Sequence, residues 1–203
     1  MNTSRRTVQY PGIGSRFCLS QDVWAETVAA LRYYGDFRSE GLVYWGGVVG
    51  ATGETIVTSL LKLNHEPQGG CVRPTAEEMR ALLRTLRKRD EKLVAQIHSH
   101  PGEAFHSLGD SQHATSYHQG FISIVLPNFG RGVQSLLDCA VYEFRGDFDA
   151  LTPQEIGERF ILQPQIVDLM PPAIDTANTA AKKGGTLWNV LRQKLKSIVS
   201  RKQ

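Results

Sequence analysis

The stretch from Gln96 to Asp110 places two histidines, separated by one residue, at the end of an apolar run. The run from Leu93 to Ile97 predicts a β-strand, because it is short, apolar and ended by a Pro-Gly pair. Alternate side chains of a strand point to the same face, so His98 and His100 project together. The sequence therefore predicts a strand end at which two imidazoles can share one ion.

An aspartate and a serine follow the two histidines after a short loop. The Ser-Leu-Gly-Asp pattern at Ser107 predicts the start of a helix that runs to about Gln119. Asp110 then lies in the first turn, where its carboxylate can reach back to the strand end. Two histidines and one carboxylate leave a tetrahedral zinc ion with an open fourth position, as in catalytic zinc sites. The predicted cofactor is Zn²⁺, with His98, His100 and Asp110 as its ligands.

The pattern His-Ser-His-Pro followed by Ser-x-x-Asp resembles the signature of the JAMM zinc metallopeptidases, also called MPN+ or JAB. That signature includes an upstream glutamate, and Glu40 fits because it stands just before a glycine-rich apolar strand. The spacing from His100 to Ser107 is one residue shorter than is usual in the family. The resemblance extends over about residues 10 to 163.

The resemblance implies a fold, an activity and roles for two further residues. The implied fold is α/β, a mixed β-sheet flanked by helices, in the MPN/JAB and cytidine-deaminase-like architecture. The implied activity is cleavage of isopeptide or peptide bonds after the C-terminal diglycine of ubiquitin-like proteins. Glu40 would act as general base and general acid, and Ser107 would donate a hydrogen bond to the oxyanion. Gly46 and Gly47 are expected to leave room for the diglycine tail.

The same resemblance implies partners and leaves alternatives open. The expected partners are a ubiquitin-like protein or its conjugates, with the activating and conjugating enzymes of a bacterial conjugation system, including those of antiphage operons. One alternative is a peptidase that processes sulfur-carrier proteins. Another is a non-catalytic MPN scaffold, which the presence of all three ligands and Glu40 disfavours.

Local physical chemistry gives a second interpretation of some of these residues. Ser107 and Asp110 also form a serviceable helix N-cap with an acid in the first turn, and this role is compatible with catalysis. The remaining nearby histidines are expected on solvated surfaces, and none of them is predicted as a ligand: His106 in the loop, and His113 and His118 on the helix.

Periodicity and capping patterns predict the other elements. Ser20 caps a predicted helix from Gln21 to about Tyr34, and Thr75 caps another. The second helix is expected to bury Met79, Leu82, Leu83 and Leu86. Predicted strands cover Leu42 to Val49, Thr55 to Leu63, Phe121 to Leu126 and Leu136 to Phe144, and a last helix after Thr152 ends near Phe160.

Length and composition predict one domain with an appendage. The 203 residues, 41% of them hydrophobic, are predicted to form a peptidase domain at 1–163, a linker at 164–185 and an amphipathic helix at 186–203. From Ala177 onward there are seven Lys or Arg residues and no acid. This basic helix is expected to contact an anionic membrane surface or a partner. The alternatives are docking on the chain's own acidic face and a solubilising extension.

The charge and hydropathy patterns of the sequence predict the location of the protein and argue against nucleic-acid binding. The charged run from Arg84 to Lys92 interleaves acidic with basic residues, which is typical of a solvated helix face and not of a nucleic-acid contact. No apolar run approaches the length needed to cross a bilayer, and no secretory signal pattern opens the sequence. The predicted location is therefore cytoplasmic.

Overall fold

Eight strands form one sheet in the computed structural model, which describes residues 13–14, 16–63 and 73–164. The strands are β1 Phe17–Ser20, β2 Leu42–Val49, β3 Thr55–Lys62, β4 Lys92–Ser99, β5 Ile122–Leu126, β6 Ala140–Phe144, β7 Phe148–Ala150 and β8 Phe160–Gln163. Their order across the sheet is β7-β6-β5-β4-β2-β3-β1-β8. Strand β1 runs parallel to β3 and β8, and β4 runs parallel to β5. The other neighbours are antiparallel, so the sheet is mixed, as predicted.

Four helices accompany the sheet within the described residues: α1 Gln21–Asp36, α2 Ala76–Lys88, α3 Leu108–Gln112 and α4 Pro153–Arg159. Helices α2, α3 and α4 each begin with a capping box, in which a Ser or Thr and an acid three residues later satisfy each other's backbone amides. The sequence predicted all three starts. None of the described helices is both long and apolar enough to cross a lipid bilayer.

The two faces of the sheet bury two separate apolar clusters. On one face, α1 packs Trp24, Val28 and Leu31 against strand residues that include Trp45 and Ile97. On the other face, α2 contributes a smaller cluster with Tyr44 and Leu61 of the sheet. Because burial of apolar area drives folding, these clusters hold the central strands in place, β4 among them. Strand β4 lies between β2 and β5 in the middle of the sheet.

The predicted strands at Leu42–Val49 and Thr55–Leu63 form a hairpin. Strands β2 and β3 pair antiparallel, with Tyr44 opposite Leu61, and the register shifts between Gly46 and Gly47. The shift leaves Thr58 of β3 as an extra residue opposite the Gly46–Gly47 step, as in a β-bulge.

Three element predictions need correction. The helix expected to reach Gln119 ends at Gln112, because the backbone amide of Thr115 donates to the side-chain oxygen of Gln96 on β4 instead of continuing the helix. Leu83 was expected in the buried stripe of α2 but is 51% exposed, since only Leu82 and Leu86 are buried there. Residues 136–138 form a 3-10 turn before β6 and are not part of the strand. The predicted linker and helix at 164–203 lie outside the described residues apart from Pro164.

Candidate metal centre

The two histidines lie at the end of β4, where the strand leaves the sheet. His98 stands opposite Leu42 of β2 and Val125 of β5. The backbone of His100 is fixed by a bond from its amide to the Leu126 carbonyl (2.9 Å). Both residues are 8% exposed, and their Nε2 atoms lie 3.2 Å apart. The predicted strand thus places both imidazoles on one face.

Asp110 faces both rings from the first turn of α3. Its Oδ1 lies 3.4 Å from Nε2 of His98, and its Oδ2 lies 3.6 Å from Nε2 of His100. Zinc–ligand bonds of about 2.0–2.1 Å in a tetrahedron separate the ligand atoms by about 3.3 Å. Each imidazole nitrogen thus lies near one oxygen of the Asp110 carboxylate at about this separation, and the three residue types are ones that zinc binds.

The Asp110 carboxylate and the His100 imidazole shift each other's pKa values toward the charged forms. Burial by itself would raise the pKa of the Asp110 carboxyl, but hydrogen bonds from His100 and His98 hold that pKa well below its usual range. The hydrogen bond to Asp110 raises the pKa of His100 above its ordinary value, and the charge of Glu40 acts in the same direction. The carboxylate is thus ionised, as a metal ligand must be.

Ser107 caps α3 and also faces the site. Its Oγ accepts a hydrogen bond from the Asp110 amide (3.1 Å), and its own amide donates to Oδ2 of Asp110 (2.7 Å). Because the hydroxyl accepts in this cap, its hydrogen is not used by it and can be donated elsewhere.

Glu40 reaches the same place from the segment between α1 and β2. The amide of Gly41 donates to Oγ of Ser99 (3.0 Å), and the amide of Ser99 donates to the Gly41 carbonyl (3.1 Å). These bonds attach the segment after α1 to the end of β4. Glu40 is half-buried there and lines a cavity of about 450 Å³. The cavity wall also includes His98, Ser107 and Asp110.

The structure thus brings the five residues predicted for the site to one place. His98, His100 and Asp110 form a group with all ligand atoms within 4.8 Å of one another. Glu40 and Ser107 lie on the wall of the adjoining cavity.

The other histidines divide into two kinds. His113 and His118 are exposed, as expected, although they lie beyond α3 and not on it. The expectation of a solvated surface is wrong for His106, which is half-buried and contacts Tyr142 and Phe148. Burial lowers the pKa of His106 to about 4, so its imidazole is neutral at physiological pH.

Sequence reasoning missed a set of polar residues beneath the cavity. Gln96 donates to Ser123 and accepts from the backbone amide of Thr115, and Gln96 and Ser123 are buried. One signal in the sequence could have located Gln96: it is a polar residue inside an apolar strand, two positions before His98, and so on the same face.

The glycine pair of β2 does not provide open space. A Cβ atom added at Gly46 would collide with the side chains of Ser59, Glu91 and Leu86, and one added at Gly47 would meet the carbonyl of Ile56 at 2.7 Å. These glycines are needed for packing within the protein, so the expectation that they leave room for a substrate tail is wrong.

Comparison with known proteins finds a curated relative of this chain. The chain is 36% identical over 128 residues to the probable metalloprotease y4jG of Sinorhizobium fredii, an overlap of 61% of this chain and 78% of that protein. No protein-family model matches the chain.

A solved structure resembles the fold. The solution structure of protein DSY2949 from Desulfitobacterium hafniense superimposes with a TM-score of 0.55 at 17% sequence identity. The superposition covers 73% of this chain and 94% of that one, and at this identity it speaks for the fold alone.

Proposed function

Because the chain belongs to the family of the probable metalloprotease y4jG of Sinorhizobium fredii, we propose that it is a zinc-dependent peptidase of the JAMM type. The observation that carries the proposal is the group of His98, His100 and Asp110 ligand atoms, all within 4.8 Å of one another, beside a cavity lined by Glu40 and Ser107. A metal-binding triad, a carboxylate outside it and a hydroxyl donor are the parts that metal-assisted peptide hydrolysis needs.

The three ligand residues would hold the ion through Nε2 of each histidine and the carboxylate of Asp110. Bound zinc supplies Lewis acidity, which makes water nucleophilic near neutral pH. The imidazoles must bind as neutral rings, with the proton on Nδ1. The ion would then take the place of the hydrogen bonds that link Nε2 of the two histidines to the Asp110 carboxylate.

Glu40 and Ser107 would act on the substrate side of the cavity. The Glu40 carboxylate takes a proton from the attacking water and returns it to the departing amine nitrogen. The Ser107 hydroxyl, whose hydrogen the helix cap leaves free, donates to the oxygen that becomes negative as the carbonyl is attacked.

The proposed substrate is a ubiquitin-like protein with a C-terminal diglycine, either conjugated to another protein or extended at its C terminus. This choice is supported by the resemblance of the His-Ser-His-Pro and Ser-x-x-Asp pattern to the JAMM signature. A diglycine has no side chains and can lie extended in a narrow polar cleft next to the ligands. The proposed partners are accordingly the ubiquitin-like protein and its conjugation enzymes.

The metal is tested first, by elemental analysis of the purified full-length chain. We expect about one equivalent of zinc, which follows from one ligand triad. The variant in which His98, His100 and Asp110 are all alanine is expected to lose it. A triple variant that keeps all of its zinc would refute the assignment.

The reaction is tested with ubiquitin-like proteins carrying a short peptide after the diglycine. We expect cleavage after the second glycine, identified by mass spectrometry, and its loss in the presence of a chelator. A matched substrate with both glycines changed to alanine is expected to be cleaved poorly. Cleavage of the two substrates at equal rates would leave a peptidase but would remove the diglycine specificity.

A further inference from the structure

His106 connects two elements of the metal centre through both of its ring nitrogens. Its Nδ1 lies 3.1 Å from Oγ of Ser111, which belongs to α3 and follows Asp110 in the chain. Its Nε2 lies 3.1 Å from Oγ of Ser123 on β5, the strand next to β4. One imidazole therefore spans from the helix that carries Asp110 to the sheet that carries the histidine ligands.

The connection continues across the sheet to β2. The side-chain amide of Gln96 donates to Oγ of Ser123 (3.2 Å), and its oxygen accepts from the amide of Thr115 (2.9 Å). Oγ1 of Thr115 is bonded to the hydroxyl of Tyr44 (3.1 Å). A series of hydrogen bonds thus joins Ser111, His106, Ser123, Gln96, Thr115 and Tyr44, and it passes through both the backbone amide and the side chain of Thr115.

Each ring nitrogen can be given a role. Ser123 Oγ accepts from Gln96, which leaves the hydroxyl hydrogen of Ser123 to donate to Nε2 of His106. Nδ1 then carries the ring proton and donates to Oγ of Ser111. Because both nitrogens are used in this way, His106 has no lone pair for the metal.

Aromatic packing and a backbone bond hold the ring in this orientation. Its centroid lies 4.9 Å from that of Tyr142 and 4.6 Å from that of Phe148. The amide of His106 donates to the hydroxyl of Tyr142 (3.1 Å). Small movements of the ring would break bonds on one side or the other.

We propose that His106 is a positioning residue, which holds Ser107 and Asp110 of the α3 segment in place against the end of β4. The inference rests on the proposed metal-dependent function. Helix α3 has only five residues, and so short a helix does not hold its position through its own backbone bonds. The link through His106 fixes the distance from the Asp110 carboxylate to the two imidazoles.

Three substitutions separate the two halves of the link. His106→Leu fills the space but makes neither bond. His106→Asn places an amide near the position of Nδ1 and can keep the bond to Ser111, whereas His106→Gln reaches the position of Nε2 and can keep the bond to Ser123. His118→Leu, at an exposed histidine, is the matched control.

Zinc affinity of the full-length variants is measured by competition with a chromophoric chelator. We expect His106→Leu to bind zinc about 10- to 100-fold more weakly, the usual effect of losing the groups that support a ligand. His106→Asn and His106→Gln should be intermediate, and His118→Leu should equal the wild type. Equal zinc affinity in His106→Leu and the wild type would overturn the proposal.

A second measurement needs no metal. The backbone amides of residues 107–112 in zinc-free protein are expected to exchange hydrogen faster in His106→Leu than in the wild type. The amides of α1 are expected to exchange at the same rate in both proteins. Unchanged exchange at residues 107–112 would also overturn the proposal. A wild-type chain that binds no zinc would refute the proposed function, and the exchange result would still decide whether His106 holds α3.

Discussion

Ser107 and Asp110 satisfy each other's backbone amides while each also faces the cavity. The amide of Ser107 donates to the Asp110 carboxylate (2.7 Å), and the amide of Asp110 donates to the Ser107 hydroxyl oxygen (3.1 Å). The cap uses the lone pairs of these side chains and not the hydroxyl hydrogen, so one residue pair can begin a helix and serve a reaction.

Removing the Ser107 hydroxyl is therefore expected to have two separable effects. Ser107→Ala should lower the free energy of unfolding by about 1 kcal/mol, through the lost cap. It should also lower kcat by about a hundred- to a thousandfold, through the lost oxyanion donor. Denaturant unfolding and steady-state kinetics measure the two effects on the same preparation.

The matched control for Ser107→Ala is Thr152→Ala. Thr152 begins α4 with the same capping box, its Oγ1 accepting from the Glu155 amide (3.2 Å). This substitution should cost a similar amount of stability and leave kcat unchanged. If the two variants lose activity equally, the Ser107 effect is one of stability and the oxyanion role is wrong.

Glu40 is expected to be needed for the reaction rate and not for metal binding. Glu40→Gln keeps the size of the side chain but cannot take up a proton, so kcat should fall by about a hundredfold or more. Zinc content should stay at the wild-type value, since Glu40 is not among the three ligand residues. Glu103→Gln, at an exposed acid in the loop after the histidines, is the comparison. An active Glu40→Gln with an inactive Glu103→Gln would move the proton transfer to Glu103.

The parts of this fold that the sequence could predict are those decided by neighbouring residues. The apolar run of Leu42–Val49 and the capping pairs at Thr75 and Thr152 act within a few positions, and the structure confirms each. The same holds for His98 and His100, because their shared face follows from strand geometry alone.

The parts that escaped prediction depend on partners far along the chain. Strand β8 is four residues long and exists because it pairs with β1, about 140 positions earlier in the sequence. Likewise, Thr115 leaves the helical path for a bond to the side chain of Gln96. No local pattern in the sequence indicates either of these partners.

His106 shows the same limit at the level of a single side chain. A histidine in a polar loop before a serine has no local feature that predicts burial. Its burial depends on Tyr142 and Phe148, which lie on β6 and β7. The site residues named by the motif were therefore accessible from the sequence, and the residues that support them were not.

Under mildly acidic conditions, His106 is expected to make the protein less stable as the pH falls. Burial lowers its folded-state pKa to about 4, whereas an unfolded histidine titrates near 6.5, so between these values the unfolded chain binds more protons. The free energy of unfolding should therefore fall as pH drops through this window, with His106 contributing up to about 1.4 kcal/mol per pH unit.

The measurement compares the pH dependence of wild type and His106→Leu. Denaturant unfolding between pH 4 and 7 in the presence of a chelator gives the slope for each. Leu cannot titrate, so its slope should be shallower in this window, whatever its absolute stability. Parallel slopes would show that His106 titrates normally in the folded state and is not buried in its neutral form.

Arg38 is expected to strain the turn that delivers Glu40. Arg38 follows the end of α1 and has a φ of 54°, in the left-handed region. The amide of the next residue, Ser39, donates to the Tyr34 carbonyl (3.1 Å). For an L-residue this conformation costs about 1–2 kcal/mol, and glycine avoids that cost but is more flexible when unfolded, by about 0.5–1 kcal/mol. Arg38→Gly should thus raise the free energy of unfolding by up to about 1.5 kcal/mol, the difference between these terms. The β-branched Arg38→Val should lower it, and urea unfolding of the three proteins gives the order. A glycine variant no more stable than the wild type would contradict strain at this turn.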